Sequence, residues 1–219
     1  MKRIFNPVPF WFLLFLTACS GVKTEKWPNG NIKSEISLHG DQRNGPAKYW
    51  YEDGTLQMEC NYVNNLLNGR LSRYYQNGKK KEQQDYKNDT LDGPAFFWDR
   101  SGNLIIESYY AKGMYYGSYR EFYPNRQIRI EGKYIKGIID GQWLYFDESG
   151  RVIGKGNFHL GNGVQESFYP ENGRIKIRTP YKNNVKEGSE TEYSPDGRVL
   201  NVRIFSGGNL IKVNTAPDS

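Results

Sequence analysis

Apolar and polar residues alternate along short segments of this chain, and the alternation recurs at intervals. Leu56, Met58, Cys60 and Tyr62 are apolar or aromatic, and the residues between them are polar. The same alternation returns at residues 127–134. A period of two is typical of a β-strand with one buried face. Nothing after residue 19 sustains helical apolar spacing, so we expect strands and no helices.

Glycines divide the chain into seven near-copies of one short unit. The first glycines of the copies lie 24, 24, 24, 24, 22 and 25 residues apart: Gly45, Gly69, Gly93, Gly117, Gly141, Gly163 and Gly188. A second glycine follows nine or ten residues later in every copy except one, which has Arg126 there. A unit this short cannot enclose a core of its own, so the copies must stack on one another.

The second glycine of each unit marks a turn. Segments such as Glu52-Asp53-Gly54 and Pro195-Asp196-Gly197 are typical of a type I turn that a left-handed glycine closes into a three-residue hairpin loop. Such a loop puts Trp50 opposite Leu56, since loop length fixes the register of a hairpin. Each unit is therefore predicted to be a β-hairpin.

Large side chains recur at two places in each unit and form two columns. The first column follows the first glycine and comprises Trp50, Tyr74, Trp98, Phe122, Phe146, Phe168 and Tyr193. The second ends the second strand and comprises Leu38, Tyr62, Tyr86, Tyr110, Tyr134, Phe158, Tyr181 and Phe205. We expect both columns on one face of the sheet. The predicted fold is all-β: an elongated single-layer antiparallel sheet of stacked hairpins with about 15 strands.

The first 19 residues have the pattern of an export signal. Lys2 and Arg3 precede an apolar run from Phe10 to Leu16, and Leu16-Thr17-Ala18-Cys19 follows. This ending resembles the lipobox of bacterial lipoproteins, in which the cysteine is acylated after cleavage. The alternatives are an ordinary signal peptide or an uncleaved membrane helix. The run is shorter than the roughly 20 residues that a membrane span needs.

The lipobox resemblance leads to a predicted division of the chain into four parts. They are a lipoprotein signal peptide at 1–18, a tether lipidated at Cys19 over 19–26, a repeat array at 27–212 and a polar tail at 213–219. The anchor implies a membrane partner and a place in the bacterial cell envelope. Ser20 after the cysteine favours the outer membrane, on either its periplasmic or its surface side.

The charge of the chain argues against nucleic acid as a partner. The formal net charge is +6, with 30 basic and 24 acidic residues, and Lys2 and Arg3 belong to the export signal. The remaining excess is small and spread along the chain, whereas nucleic-acid binders concentrate basic residues in a stripe or helix.

Residues that could carry catalysis or bind a metal are few and far apart. The two histidines, His39 and His159, are about 120 residues apart in an elongated array, and acylation of Cys19 leaves Cys60 as the one thiol. Glu35, Glu59, Glu107 and Glu131 recur in register, which suits either a cation or ordinary surface ion pairs, and we favour the second. We expect no enzymatic activity, no cofactor and no metal. Cys60 is expected to be a small buried hydrophobe.

A second set of aromatic side chains alternates with the first column and is predicted to lie on the opposite face. It is densest between Phe97 and Tyr145. Exposed aromatics among charges mark recognition surfaces, although a single-layer sheet also uses them to stiffen itself. The candidate partner-binding residues are Phe97, Tyr119, Tyr123, Trp143 and Tyr145.

The repeated motif resembles the MORN repeat variant of bacterial proteins, a family often called YwqK-type antitoxins. The matching elements are an aromatic pair before Asn/Asp-Gly, an apolar residue two after that glycine, an aromatic eight after it, and a closing Asn/Asp-Gly as in Asn68-Gly69, over residues 27 to about 212. The resemblance implies a non-enzymatic interaction scaffold with no catalytic residues.

Three functions remain open from the sequence. The first is a membrane-anchored scaffold that binds another envelope protein through its aromatic strip. The second is an immunity or antitoxin-like protein. Its toxin would have to be exported, because the export signal separates this chain from a toxin in the cytoplasm. The third is binding of a glycan or a peptidoglycan strand, since sugars stack on aromatic rows.

Overall fold

The computed structural model describes residues 20–215, and these form strands, turns and no helix. The predicted signal peptide, Cys19 and residues 216–219 lie outside this range. The strands are β1 (Ser20–Lys26), β2 (Ile32–His39), β3 (Gln42–Trp50), β4 (Leu56–Val63), β5 (Leu66–Leu67), β6 (Gly69–Tyr74), β7 (Lys80–Lys87), β8 (Thr90–Trp98), β9 (Leu104–Ala111), β10 (Met114–Phe122), β11 (Ile128–Ile135), β12 (Ile138–Phe146), β13 (Val152–His159), β14 (Asn162–Phe168), β15 (Ile175–Lys182), β16 (Val185–Lys186), β17 (Gly188–Tyr193), β18 (Val199–Ser206) and β19 (Asn209–Thr215).

The strands form one antiparallel sheet in which each pairs with its neighbours along the chain. β5 and β6 both pair with β4, and β16 and β17 both pair with β15, so each of these two pairs acts as one interrupted strand. β1 and β19 are the two edges. The predicted single-layer all-β fold is confirmed.

The sheet has 19 strands where about 15 were expected. Two of the additional strands arise because breaks in the residue pairing at Asn68-Gly69 and Glu187-Gly188 each divide one strand into two. The other two extend the sheet at its edges. β1 occupies residues 20–26, which were predicted as a tether, and β19 continues to Thr215, into the predicted polar tail.

Two kinds of hairpin loop alternate along the chain. One is a two-residue turn with positive φ at both residues, such as Asn64 at 50° and Asn65 at 68°. The other is the predicted three-residue loop: in the first copy, the Gly54 N–H donates to the Tyr51 carbonyl and the Tyr51 N–H to the Thr55 carbonyl. Gly54 has φ of 87°, which confirms the left-handed closing residue.

The side of the ribbon that carries the three-residue loops is called here the loop side. On it, an aromatic side chain of most copies donates a hydrogen bond to the next copy. The Tyr51 hydroxyl donates to the Tyr74 carbonyl at 2.8 Å, and the Tyr75 hydroxyl to the Trp98 carbonyl at 2.8 Å. Trp27, Tyr123 and Tyr169 donate in the same way to Trp50, Phe146 and Tyr193. We call this series the aromatic ladder.

The aromatic ladder is interrupted at two copies, where aspartate occupies the ladder position. Asp99 accepts hydrogen bonds from the backbone and side chain of Asn103. Asp147 accepts from Ser149 and Arg151, and these bonds, the Ser149 hydroxyl first, lower the pKa of its carboxyl to about 2. Both carboxylates bond within their own loop, so the copies they belong to lack the ladder bond to the next copy.

The two faces of the sheet differ in character. On the packed face, a central row of residues lies in register: Ala47 opposite Cys60, Leu71 opposite Gln84, Ala95 opposite Ser108, and Trp143 opposite Gly156. Ala47, Leu71 and Ala95 are almost fully buried, because larger side chains flank the row on both sides. Cys60 is also buried, as expected, and burial raises the pKa of its thiol.

The other face, the charged face, carries Lys48, Glu59 and their counterparts. The first aromatic column lies here, and the expectation that it shares a face with the second column is wrong. The Tyr74 hydroxyl donates to Glu59 at 2.6 Å, and the Lys155 ammonium lies 5.6 Å from the Phe168 ring centre. The predicted pairing of Trp50 with Leu56 is confirmed, but a bulge at Gln57 reverses the face.

Replacing Arg126 with glycine is expected to stabilise the protein by about 0.5–1 kcal/mol. Arg126 holds φ of 69° at the position where most other copies have glycine, and its side chain is exposed. Glycine adopts this conformation without steric cost. The strain that is removed outweighs the entropy that glycine adds to the unfolded chain. Urea unfolding of Arg126→Gly measures the gain.

The matched control for this substitution is Gly78→Arg in an earlier copy. Gly78 has φ of 79°, and a Cβ added there would meet nothing within 4 Å. Strain alone should therefore destabilise Gly78→Arg by about 1 kcal/mol. Equal stability of Arg126→Gly and the unchanged protein would show that the loop does not strain arginine.

Candidate aromatic binding surface

Four of the five predicted partner-binding residues lie on the packed face, and not on the face opposite the core as expected. In the register, Phe97 is opposite Ile106, Tyr119 opposite Gly132, and Trp143 opposite Gly156. Tyr145 is opposite Gly154. The reason is again the bulge beside each three-residue loop, which puts these positions and the second aromatic column on the same face.

The fifth predicted residue, Tyr123, belongs to the aromatic ladder. Its hydroxyl donates to the Phe146 carbonyl at 2.9 Å. The side chain is half-buried at the loop side of the ribbon. Tyr123 therefore joins one copy to the next and is separate from the other four.

Five rings in the middle of the packed face form one aromatic cluster, defined as Tyr110, Tyr115, Tyr119, Tyr134 and Trp143. Ring centres lie 4.4 Å apart for Tyr110–Tyr115, 5.0 Å for Tyr115–Tyr134 and 5.0 Å for Tyr134–Trp143. Tyr119 contacts Tyr134 edge-on at 5.6 Å and Trp143 at 5.8 Å. Each such pair contributes about 0.5–1.5 kcal/mol beyond its buried area, so the cluster holds its own rings in place.

Glycines beneath the rings make room for this packing. A Cβ on Gly132 would lie 2.2 Å from Cδ2 of Trp143, so the indole ring covers the position where a side chain would be. A Cβ on Gly156 would lie 2.3 Å from Cε2 of Phe158. Trp143 is only 5% exposed as a result. Its indole nitrogen is buried and has no hydrogen-bond partner among the described residues.

Several tyrosine hydroxyls of the packed face have a raised pKa, among them those of Tyr119, Tyr134 and Tyr145. The Tyr119 hydroxyl donates to Glu121 at 2.7 Å, and Arg129 pairs with the same carboxylate. Burial, then the Glu121 hydrogen bond, raises the pKa of Tyr119 well above its usual value. Burial likewise raises the pKa of Tyr134, and that of Tyr145 to about 12. These three side chains stay neutral near pH 7 and offer an apolar contact surface with polar tips.

On the charged face, the recurring glutamates of the sequence alternate with basic side chains of the neighbouring strands. Arg120 lies between Glu107 and Glu131, at 3.8 and 3.9 Å. Glu166 lies between Lys155 and Arg178, at 3.7 and 3.8 Å. These distances fit the interpretation as surface ion pairs. Among residues 20–215, no three His, Cys, Asp or Glu side chains approach closely enough to hold a metal ion.

Three members of the cluster were missed as candidates: Tyr110, Tyr115 and Tyr134. Tyr110 and Tyr134 were assigned to the core column on the other face, so their contact with Tyr119 and Trp143 was not foreseen. Tyr115 precedes Gly117 by two residues, and neither predicted column includes the residue at that position of the repeat. All three would have been found if the second aromatic column and the candidate residues had been assigned to the same face.

Comparisons with known proteins agree with the repeat architecture. The family model of the MORN repeat variant matches three consecutive segments, residues 43–64, 67–88 and 91–112. No curated protein matches the chain. Among solved structures, a porin-like protein from Bacteroides uniformis ATCC 8492 aligns with 9% identity over 89% of this chain and 91% of that chain, at a TM-score of 0.20. That score is too low to support an argument.

Three of the seven copies therefore match the MORN repeat variant, and such repeats point to a binding module built from repeated units. In the part of the chain that the structure describes, no helix is long and apolar enough to cross a membrane.

Proposed function

We propose that the chain is a non-enzymatic lipoprotein, anchored through Cys19, that acts as a protein-interaction scaffold in the bacterial cell envelope. The resemblance to YwqK-type MORN proteins extends this view to all seven copies, because the unmatched four keep the glycine spacing. The outer membrane is the proposed location. The partner is proposed to be another envelope protein that contacts the packed face at the aromatic cluster.

The observation that carries the proposal is the aromatic cluster on an uncovered sheet face. In a two-layer protein such rings would be covered by the second layer. Here each strand of residues 20–215 packs mainly against its sequence neighbours, so no second layer covers them. Tyr110, Tyr115, Tyr119 and Tyr134 remain partly exposed. Rings that are already locked by their neighbours lose little side-chain entropy when a partner covers them. Tyrosine and tryptophan are also enriched among residues that dominate binding energy.

The order of the elements is compatible with an anchor at Cys19. β1 begins at Ser20, directly after Cys19, and pairs with β2 along its length. An acyl chain on Cys19 would therefore place the first edge of the sheet at the membrane, with little free chain between them. Later copies would extend away from the lipid surface, where the aromatic cluster is accessible.

Both parts of the proposal are tested by photo-crosslinking in cells. Benzoylphenylalanine replaces Tyr115 on the packed face or Tyr109, which is 44% exposed and opposite Pro94, on the charged face. We expect one discrete envelope-protein adduct from Tyr115 and none from Tyr109. In a Cys19→Ser background, the protein should leave the membrane fraction and the adduct should weaken.

The outcomes separate the two claims. Retention of Cys19→Ser in the membrane fraction, or absence of acyl mass on the N-terminal peptide of the unchanged protein, would contradict the anchor. Equal adducts from Tyr115 and Tyr109, or none from either, would contradict the packed face as the contact surface.

A further inference from the structure

A groove lies on the loop side of the ribbon, between the three-residue loops of the first three copies. It has a volume of about 650 Å³ and is lined by Tyr51, Asp53, Tyr75, Lys81 and Arg100, among others. A smaller hollow of about 310 Å³ shares Tyr51 and Lys81 with it. This groove is separate from the aromatic cluster, which begins at Tyr110 and lies on the packed face.

Two cations of the groove have no carboxylate partner. The Lys81 ammonium and the Arg100 guanidinium each lie 5.9 Å from the centre of the Tyr75 ring, and they come from different copies. Neither forms an ion pair with any residue in 20–215, whereas two other cations of the second copy do, Arg70 with Asp85 and Arg73 with Glu82. Lys81 and Arg100 are also exposed. Their charge is free to meet an anion from solution.

The tyrosine walls of the groove are rigid. Tyr51 and Tyr75 are both members of the aromatic ladder, so each hydroxyl is fixed on a carbonyl of the next copy at 2.8 Å. Equivalent positions in copies joined by the ladder are two strands apart, which is about 9.6 Å. The rings therefore form fixed apolar surfaces at a regular interval along the groove.

A carboxylate also faces the groove and limits the kind of anion that fits. Asp53 accepts hydrogen bonds from the Thr55 backbone at 2.9 Å and from the Gln76 amide at 2.8 Å. These bonds lower the pKa of Asp53, so it is ionised at neutral pH. A compact anion such as phosphate would be repelled by Asp53. A sugar acid offers hydroxyl donors to Asp53, C–H faces to the tyrosines and a carboxylate to the cations.

We propose that this groove binds an acidic oligosaccharide, with uronic-acid carboxylates at Lys81 and Arg100 and sugar rings against Tyr51 and Tyr75. The combination of unpaired cations, fixed aromatic walls and an ionised acceptor carries the assignment. Each of these alone would fit a broader class of ligand.

The test is calorimetric titration of the full chain, solubilised in a neutral detergent, with tetragalacturonic acid. The neutral tetrasaccharide of galactose with the same linkage and inorganic phosphate are titrated alongside. We expect binding of the acidic tetrasaccharide alone. Lys81→Gln combined with Arg100→Gln should weaken it about tenfold or more, and added salt should weaken it as well.

Lys176→Gln is the matched control. Lys176 lies 5.6 Å from the centre of the Tyr169 ring, in the same arrangement but outside the groove. Its substitution should leave the affinity unchanged, and thermal unfolding should show that all variants are folded. Equal affinity for the neutral tetrasaccharide, binding of phosphate at comparable strength, an equal loss in Lys176→Gln, or no heat with any probe would each overturn the proposal.

Discussion

Gly132→Ala is expected to destabilise the protein by about 3 kcal/mol. The added methyl group would occupy space 2.2 Å from Cδ2 and 2.4 Å from Cε2 of Trp143. The indole ring must then leave its position between Tyr119 and Tyr134, and its ring contacts are lost with it. Urea unfolding followed by circular dichroism measures the free energy.

The control for this substitution is Gly21→Ala, because a Cβ at Gly21 would meet nothing within 4 Å. It should change the free energy of unfolding by less than about 0.5 kcal/mol. Replacing the indole ring with a smaller side chain supplies a second check. In a Trp143→Leu background, the methyl group has room. Gly132→Ala should then lower the free energy of unfolding by at least about 1 kcal/mol less than it does in the unchanged protein. Additive costs would contradict a direct clash.

Leu71→Ala is expected to cost about 3 kcal/mol. Leu71 is 1% exposed and is the largest fully buried side chain of the described chain. It lies in the central row and packs with Ala47, Cys60 and Tyr62, so its removal leaves a cavity in a sheet that has one core layer. The measurement is again urea unfolding, with the midpoint and slope fitted separately.

Leu66→Ala is the matched control for Leu71→Ala. Leu66 lies at the end of the preceding copy and is 39% exposed in the two-residue strand β5. The same chemical change there should cost less than about 1 kcal/mol. Similar costs at Leu66 and Leu71 would show that the packed face does not act as a core.

The architecture was predictable because its determinants are local. Each turn follows from a few residues, such as Asp53-Gly54, and the loop length then sets the pairing of Trp50 with Leu56. Repetition at a nearly constant spacing gives the stacking of hairpins. The strands at the two edges were not foreseen, because β1 and β19 lack the motif and are held by pairing with their neighbours alone.

The sequence singled out only two rings of the aromatic cluster, Tyr119 and Trp143. Phe97, Tyr119, Trp143 and Tyr145 were selected correctly as a group on one face, but that face is the packed one. A single bulged residue, Gln57 in the first copy, decides the outcome, and strict alternation does not reveal it. The fit of Trp143 over Gly132 depends on residues in adjacent strands, so sequence periodicity alone does not show it.

Asp99 and Asp147 give the ribbon an uneven mechanical character. On the loop side, the copies before Asp99, those between the two aspartates and those after Asp147 are each internally fastened by tyrosine or tryptophan. At the two aspartates this loop-side bond is missing, and the neighbouring hairpins are joined there by backbone pairing and by contacts on the two faces, such as Tyr110–Tyr115 and Phe158–Tyr181. Under load, the loop side of the ribbon would open first at these two places, while the ring contacts keep the packed face closed.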